Sequence, residues 1–190
     1  FQPLHHLHLP TSPQHQKDAA TVWGNVVKAQ MSSVHLPPWP LSRRPGLLRI
    51  GLMSSYLSRP PFSELLDGFG GLWQQLQTRN VQATAISTAL PRVDNDDNNN
   101  DDNDNGLSTS QPDAQSGRVG YVDVGADAYS VAAQKVHILS LDVAIDLNGW
   151  TGRFSHPIAS PIARLKWSFL GYAGTTGSFV DHVVVDSIAT

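Results

Sequence analysis

Three histidines, His5, His6 and His8, lie near the start of the chain. Histidine is a common metal ligand, so the cluster raises the question of a metal site. A zinc site would need four ligands, and no second group of ligands lies close to this cluster in the sequence. A surface segment bounded by prolines is therefore the favoured interpretation of these residues considered by themselves.

An acidic tract offers a second candidate for metal chemistry. Residues 94–105 contain only Asp and Asn, and carboxylates bind calcium. The tract lacks the glycine at the sixth position and the closing glutamate of a calcium-binding EF-hand loop. It also has no apolar residue to bury, so we expect a disordered insertion over about 91–117.

A glycine-rich loop offers a different chemistry. Gly171, Gly174 and Gly177 follow a predicted strand, where open α/β sheets place their ligands. The spacing is not a dinucleotide fingerprint, which would follow the first strand. It predicts a tight turn that lets the backbone approach a ligand or a neighbouring segment closely.

The elements that would position these residues alternate between strand and helix. Val143, Ile145 and Leu147 form a short apolar run that ends at Asn148 and Gly149, as expected of a buried parallel strand. The same reasoning predicts strands over 47–54, 81–86, 118–124, 165–170 and 182–185, and helices over 14–31, 62–77, 126–139 and 156–163. This alternation predicts an α/β fold with a mostly parallel sheet.

Apolar residues at helical spacing predict which faces of two helices are buried. In the helix over 14–31 they are Ala19, Val22, Trp23, Val26 and Val27. In the helix over 126–139 they are Ala128, Val131, Ala132, Val136 and Leu139.

Composition narrows the class of protein. The chain has 190 residues and a net charge of -3, and without the six acidic residues of the acidic tract its 13 basic residues face ten acidic ones. That excess is too small to indicate nucleic-acid binding. Cysteine is absent, which excludes a disulfide framework and a thiolate metal site. No apolar run is long enough for a membrane span and the N-terminus lacks a signal-peptide pattern, so an intracellular soluble protein is expected. Because the chain starts at Phe1 without methionine, we expect a fragment of a longer protein.

Three sequence blocks resemble the catalytic region of protein O-GlcNAc transferases, in the order found in that family. They are Asp146-Leu-Asn-Gly-Trp-Thr151, Phe169-Leu-Gly-Tyr-Ala-Gly-Thr-Thr-Gly177 and Asp181-His-Val-Val-Val-Asp186. The connector His35-Leu-Pro-Pro-Trp39 and the pair Ser54-Ser55 also match. The resemblance covers roughly residues 1–90 and 118–190.

The resemblance implies the Rossmann-like first lobe of a two-lobed, GT-B type glycosyltransferase. Such enzymes need no metal cofactor and transfer N-acetylglucosamine from UDP-GlcNAc to Ser or Thr of proteins in the cytoplasm or nucleus; a related branch uses GDP-fucose. We expect residues 1–46 to form an N-terminal helix and connector, and residues 47–190 to form the lobe. The second lobe and the helical repeats of the family would be supplied outside this chain, with no nucleic acid or membrane as partner.

The resemblance also nominates site residues. Either His5 or His6 would correspond to a histidine that lines the active site. The residues near the donor sugar would be Leu170, Gly171, Tyr172, Gly174 and Thr175.

The chain departs from the family at several of its characteristic positions. Pro60 stands where the family has an active-site histidine, Tyr56 replaces an aspartate, Glu64 a later histidine, and Ala173 a proline. Proline cannot exchange a proton, and Glu64 lies about one helical turn away, roughly 5 Å. A non-catalytic lobe that binds a protein or a sugar nucleotide is therefore the alternative. An unrelated Rossmann-type nucleotide binder is a third, weaker one.

Overall fold

The computed structural model describes residues 10–38, 46–57, 75–76, 79–90, 119–151, 156–169 and 179–184. In chain order the elements are α1 (Pro13–Met31), β1 (Leu48–Ser54), β2 (Val81–Ser87), β3 (Val119–Asp123), α2 (Tyr129–Ile138), β4 (Leu141–Asp146), a 3-10 turn (His156–Ala159), β5 (Ala163–Phe169) and β6 (His182–Val184). The acidic tract lies outside the described residues. Of the predicted helix over 62–77, only residues 75–76 are described, and they are helical.

The strands of the described residues form one six-stranded sheet in the order β3-β2-β1-β4-β5-β6. All five neighbouring pairs are parallel, and the register places Ser54 beside Ser87 and Met53 beside both Ile86 and Asp146. This strand order is that of doubly wound Rossmann folds. The predicted α/β class with a parallel, Rossmann-like sheet is confirmed.

The central strands β1 and β2 are buried on both faces over their carboxyl-terminal halves, as expected of a parallel sheet. Neighbouring residues of β1 point to opposite faces, and Leu52 and Met53 are both almost completely buried. Ala85 and Ile86 show the same pattern in β2. Continuous burial explains why these strands lack an alternation of polar and apolar residues.

The main core lies where α1, α2 and the 3-10 turn meet the sheet, and the 3-10 turn contacts both helices. Trp150 and Phe179 pack edge to face there, with ring centroids 5.4 Å apart and an interplanar angle of 89°. Such a pair contributes about 1 kcal/mol beyond its buried area. The other buried residues of this cluster are Val27, Met31, Met53, Ile86, Val124, Ala132, Ala133, Val136, Leu141, Ala144, Ile158, Ile162 and Ala163.

Helix α1 begins where its sequence predicts. The Ser12 side chain caps it by accepting a hydrogen bond from the His15 backbone N–H at 3.2 Å, and Pro13 occupies the first turn, where a missing N–H costs nothing.

The predicted buried face of α1 is partly wrong. Val22 is 65% exposed and Val26 is 41% exposed. The buried stripe consists of Ala20, Gly24, Val27 and Met31, which repeat at intervals of three or four residues. The small residues Ala20 and Gly24 let the helix approach its neighbours closely. The buried face is therefore the one that carries these small residues, and the more hydrophobic Val22 and Val26 face outward.

Two other predicted helices also need correction. Helix α2 is shorter than 126–139, and Ala128 and Val131 are exposed, while Ala133 and His137 are buried beside Ala132 and Val136. The helix expected over 156–163 is only a 3-10 turn. Pro161 has no backbone N–H for a helical hydrogen bond, and strand β5 already begins at Ala163.

His137 connects the segment after α1 to the rest of the fold. Its Nε2 lies 2.8 Å from the Pro37 carbonyl oxygen, and its Nδ1 lies 3.1 Å from that of Pro161. The ring is 2% exposed. A neutral imidazole carries one N–H, so its tautomer determines which of the two carbonyls accepts a hydrogen bond.

Among the helices of the described residues, none is long and apolar enough to cross a membrane.

Candidate functional site

The candidate site, called the crevice below, is the region outside the carboxyl ends of the neighbouring strands β1 and β4. The chain builds β1, β2 and β3 outward in one direction, then returns to place β4 on the other side of β1. In open α/β sheets, ligands bind outside the carboxyl ends of the strands at this reversal of strand order. Here those ends lead into Ser55 and Tyr56 after β1 and into residues 147–151 after β4.

Asn148 links the two sides of this crevice. Its Oδ1 accepts hydrogen bonds from the Ser54 hydroxyl at 2.7 Å and the Ser55 backbone N–H at 3.3 Å, and its Nδ2 donates to the Ser55 hydroxyl at 2.9 Å. A backbone N–H can only donate, so the contact with Ser55 fixes which end of the amide is the oxygen. Asn148 and Ser54 are each 1% exposed, which shields these bonds from water.

The network continues to the loops after β1 and β2. The Ser54 hydroxyl accepts a hydrogen bond from the Tyr56 backbone N–H at 3.0 Å. The Ser55 hydroxyl lies 2.9 Å from that of Thr88, and either oxygen can donate. The Thr88 backbone N–H donates to the Ser54 carbonyl at 3.1 Å. Side-chain hydrogen bonds therefore join the carboxyl ends of β1, β2 and β4, in addition to the backbone hydrogen bonds of the sheet.

Asp146 shapes the turn that presents Asn148. One carboxylate oxygen accepts from the Asn148 backbone N–H at 3.0 Å and the other from the Gly149 N–H at 3.1 Å. Gly149 has a φ of 56°, a conformation that glycine adopts without steric cost. The Thr151 hydroxyl closes the turn by donating to the Asn148 carbonyl at 2.6 Å. Both oxygens of Asp146 thus hold backbone groups, which is a structural role.

The loops after β2 and β3 meet beside this network. The Gly125 backbone N–H donates to the Asp123 carboxylate at 2.8 Å. A Cβ atom at Gly125 would lie 1.5 Å from the Ala89 carbonyl oxygen. Only glycine fits this approach, which fixes the β3 loop against the segment that carries Thr88.

Charged residues contact one another at the amino-terminal ends of the strands, opposite the candidate site. Asp142 accepts a hydrogen bond from the Arg49 backbone N–H at 3.0 Å and lies 3.9 Å from the Arg164 Nε. These residues join the beginnings of β1, β4 and β5, far along the strands from the crevice. The contact of Arg164 with Asp142 is therefore structural.

Lys166 is a partly buried cation on β5. Burial lowers its pKa from the ordinary value of 10.5; Asp181 opposes this effect, and Lys28 on α1 adds to it. The Lys166 backbone also exchanges two hydrogen bonds of 2.7 Å with Asp181, through its N–H and its carbonyl. These contacts anchor the start of β6 and do not reach the crevice.

The residues that the sequence nominated as site residues, His5, His6, Leu170, Gly171, Tyr172, Gly174 and Thr175, lie outside the described residues, as do Pro60 and Glu64. The part of the chain that the structure describes contains no cluster of His, Cys, Asp or Glu arranged to hold a metal ion.

Sequence reasoning missed Thr88 as a site residue, and it identified Ser54, Ser55 and Asn148 only as parts of matching blocks. A usable signal was present, because each of these residues ends or closely follows a predicted strand. Parallel strands place their carboxyl ends at one edge of a sheet, so polar residues after adjacent strands meet there.

No protein-family model matches this chain.

Proposed function

We propose that this chain is the Rossmann-like first lobe of a two-lobed protein O-GlcNAc transferase. In that role it transfers N-acetylglucosamine from UDP-GlcNAc to Ser or Thr of cytoplasmic or nuclear proteins, together with a second lobe and helical repeats outside this chain. The alternative donor within the same proposal is GDP-fucose.

The observation that carries the proposal is the 2.7 Å hydrogen bond between Ser54 and Asn148. These residues belong to two blocks that resemble the transferase family and lie 94 residues apart in sequence. Their contact at the reversal of strand order gives the sequence resemblance a spatial counterpart. The strand order alone places the ends of β1 and β4 side by side, so the contact supports the proposal through the identity of the two residues that meet there.

The hydrogen bonds of Asp146 also limit which residue can act as the general base toward an acceptor hydroxyl. Asp146 is 2% exposed and uses both carboxylate oxygens to accept backbone N–H groups, so it is a poor candidate for taking a proton from an acceptor hydroxyl. In the proposal this task falls to His5 or His6, because the resemblance aligns them with an active-site histidine.

A transfer assay on the intact gene product that carries this chain tests the proposal. Radiolabelled UDP-GlcNAc and GDP-fucose are each supplied with a mixed protein acceptor. We expect label to be transferred from one of the two donors, and the double variant His5→Ala/His6→Ala to lose transfer. His15→Ala, on the exposed side of α1, is the matched control and should retain it.

A non-catalytic lobe is the second candidate, and Pro60 favours it because proline cannot exchange a proton. The same protein would then bind UDP-GlcNAc, as measured by isothermal titration calorimetry, without transferring label from either donor. Absence of both binding and transfer would rule out the transferase and a lobe that binds UDP-GlcNAc, and would leave a non-catalytic lobe that binds a protein.

A further inference from the structure

Ser55 is the partly exposed member of the hydrogen-bond network in the crevice. Ser54, Thr88 and Asn148 are 1%, 5% and 1% exposed, whereas Ser55 is only half-buried. A ligand at the carboxyl ends of β1 and β4 would therefore meet the Ser55 hydroxyl before the other polar side chains of the network.

Among the described residues, the hydrogen bonds of the network leave one hydroxyl proton without an acceptor. The Ser54 proton goes to Asn148, and the Asn148 amide donates to the Ser55 oxygen. One hydrogen bond joins Ser55 and Thr88, although together they carry two hydroxyl protons. If Thr88 donates, both lone pairs of the Ser55 oxygen are used, and the Ser55 proton is free to point into the crevice.

We propose that the Ser55 hydroxyl donates a hydrogen bond to a phosphate or sugar oxygen of a nucleotide sugar bound in this crevice, with Asn148 and Thr88 as positioning residues. The inference rests on the proposed function for the class of ligand. A hydroxyl whose oxygen accepts two hydrogen bonds is polarised and becomes a stronger donor. The two positioning residues therefore both orient the Ser55 hydroxyl and strengthen it.

The side chains of the network carry no negative charge that would repel an acceptor oxygen of the ligand. Ser55, Thr88 and Asn148 carry no charge, and the nearby Asp146 carboxylate already accepts two backbone N–H groups. The phosphate oxygens and the sugar hydroxyls of a nucleotide sugar can both accept from Ser55. Comparing UDP with UDP-GlcNAc separates these two sources.

The test measures the affinity of the intact gene product for UDP-GlcNAc and for UDP by isothermal titration calorimetry. Loss of one such hydrogen bond should weaken binding about three- to tenfold in Ser55→Ala. Thr88→Val, which removes the hydroxyl at nearly constant volume, should weaken it similarly, whereas Thr88→Ser should bind like the wild type. The double variant Ser55→Ala/Thr88→Val should be no weaker than Ser55→Ala, because Thr88 acts through Ser55.

Ser33→Ala, an exposed serine after α1, is the matched control and should leave affinity unchanged. Weakening with both ligands supports a diphosphate contact, and weakening with UDP-GlcNAc alone supports a sugar contact. Unchanged affinity in Ser55→Ala, or equal losses in Thr88→Val and Thr88→Ser, would overturn the inference while leaving the proposed function intact. A wild-type protein that binds none of UDP-GlcNAc, UDP, GDP-fucose and GDP would overturn both.

Discussion

The side-chain oxygen of Asn148 accepts a hydrogen bond from the Ser54 hydroxyl at 2.7 Å, although 94 residues separate them in the chain. The same amide also contacts the backbone and the hydroxyl of Ser55. One buried side chain therefore satisfies three polar groups of the loop after β1. The geometry of that loop depends on a residue in the turn after β4.

Replacing Asn148 by Ala should lower the free energy of unfolding by about 2–3 kcal/mol, because it leaves buried donors and an acceptor of Ser54 and Ser55 without partners. Urea denaturation followed by circular dichroism measures the change. Gln30→Ala, at an exposed position of α1, is the control and should change stability by less than about 0.5 kcal/mol. Equal stability of the two variants would show that water replaces the amide at no cost.

Asn148→Asp separates the two halves of the amide. The carboxylate keeps an acceptor for Ser54 but has no N–H for the Ser55 hydroxyl, and its charge lies near Asp146. Protonation restores a donor and removes the added charge, so the deficit in unfolding free energy relative to wild type should shrink as pH falls. Denaturation of both proteins at pH 7 and pH 5 measures this deficit. A deficit that stays constant between these pH values would contradict the assigned donor role.

Gly125→Ala should destabilise the contact between the loops after β2 and β3. The new Cβ would lie 1.5 Å from the Ala89 carbonyl oxygen, so the backbone must move. We expect a loss of about 3 kcal/mol in unfolding free energy, measured by thermal denaturation. Gly120→Ala on β3 is the control, because its Cβ would meet a Thr84 side-chain oxygen at 3.2 Å and the cost should stay below about 1 kcal/mol. An equally small loss of unfolding free energy in Gly125→Ala and Gly120→Ala would mean that the two loops move apart at little cost.

The strands of the fold could be predicted from the sequence because short segments rich in apolar, β-branched and small residues end at turn residues. Residues 47–54 and 81–86 were predicted as strands, and β1 and β2 are observed at Leu48–Ser54 and Val81–Ser87. The buried faces of the helices could not be predicted as well. On helix α1, Gly24 is buried and Val22 is exposed. The side of the helix that packs closely against its neighbours requires small residues, so hydrophobicity alone does not identify it.

The candidate site was less accessible to sequence reasoning. The pairs Ser54–Asn148 and Ser55–Thr88 are joined across 94 and 33 residues, and no local pattern specifies such contacts. The strand order brings them together, and the sequence predicted a parallel sheet without its order. The histidine pair and the glycine loop nominated by resemblance remain predictions.

His137→Ala should weaken the connection between the segment after α1 and the rest of the fold. The substitution removes a buried ring and its contacts with the Pro37 and Pro161 carbonyls, so we expect a loss of about 2–4 kcal/mol in unfolding free energy. Hydrogen exchange should also quicken at the backbone amide of Val34, which donates to the Met31 carbonyl at 3.1 Å. Gln134→Ala is the control: its side chain also reaches this segment, at 3.4 Å from the His35 carbonyl, but it is exposed. Faster exchange in both variants would assign the effect to helix α2 in general.

Lys166→Met should raise the free energy of unfolding at pH 7, because the folded protein holds a partly buried ammonium group at a cost. Burial lowers the Lys166 pKa from 10.5, so just below pH 10.5 the unfolded chain binds more protons than the folded one. Wild-type stability attributable to this group therefore increases as pH rises through that interval, and the advantage of Lys166→Met should narrow. Denaturation of both proteins at pH 7 and pH 10 measures it. Lys17→Met, at an exposed position of α1, should show no such narrowing. A constant difference between Lys166→Met and wild type would indicate that Asp181 fully compensates the buried charge.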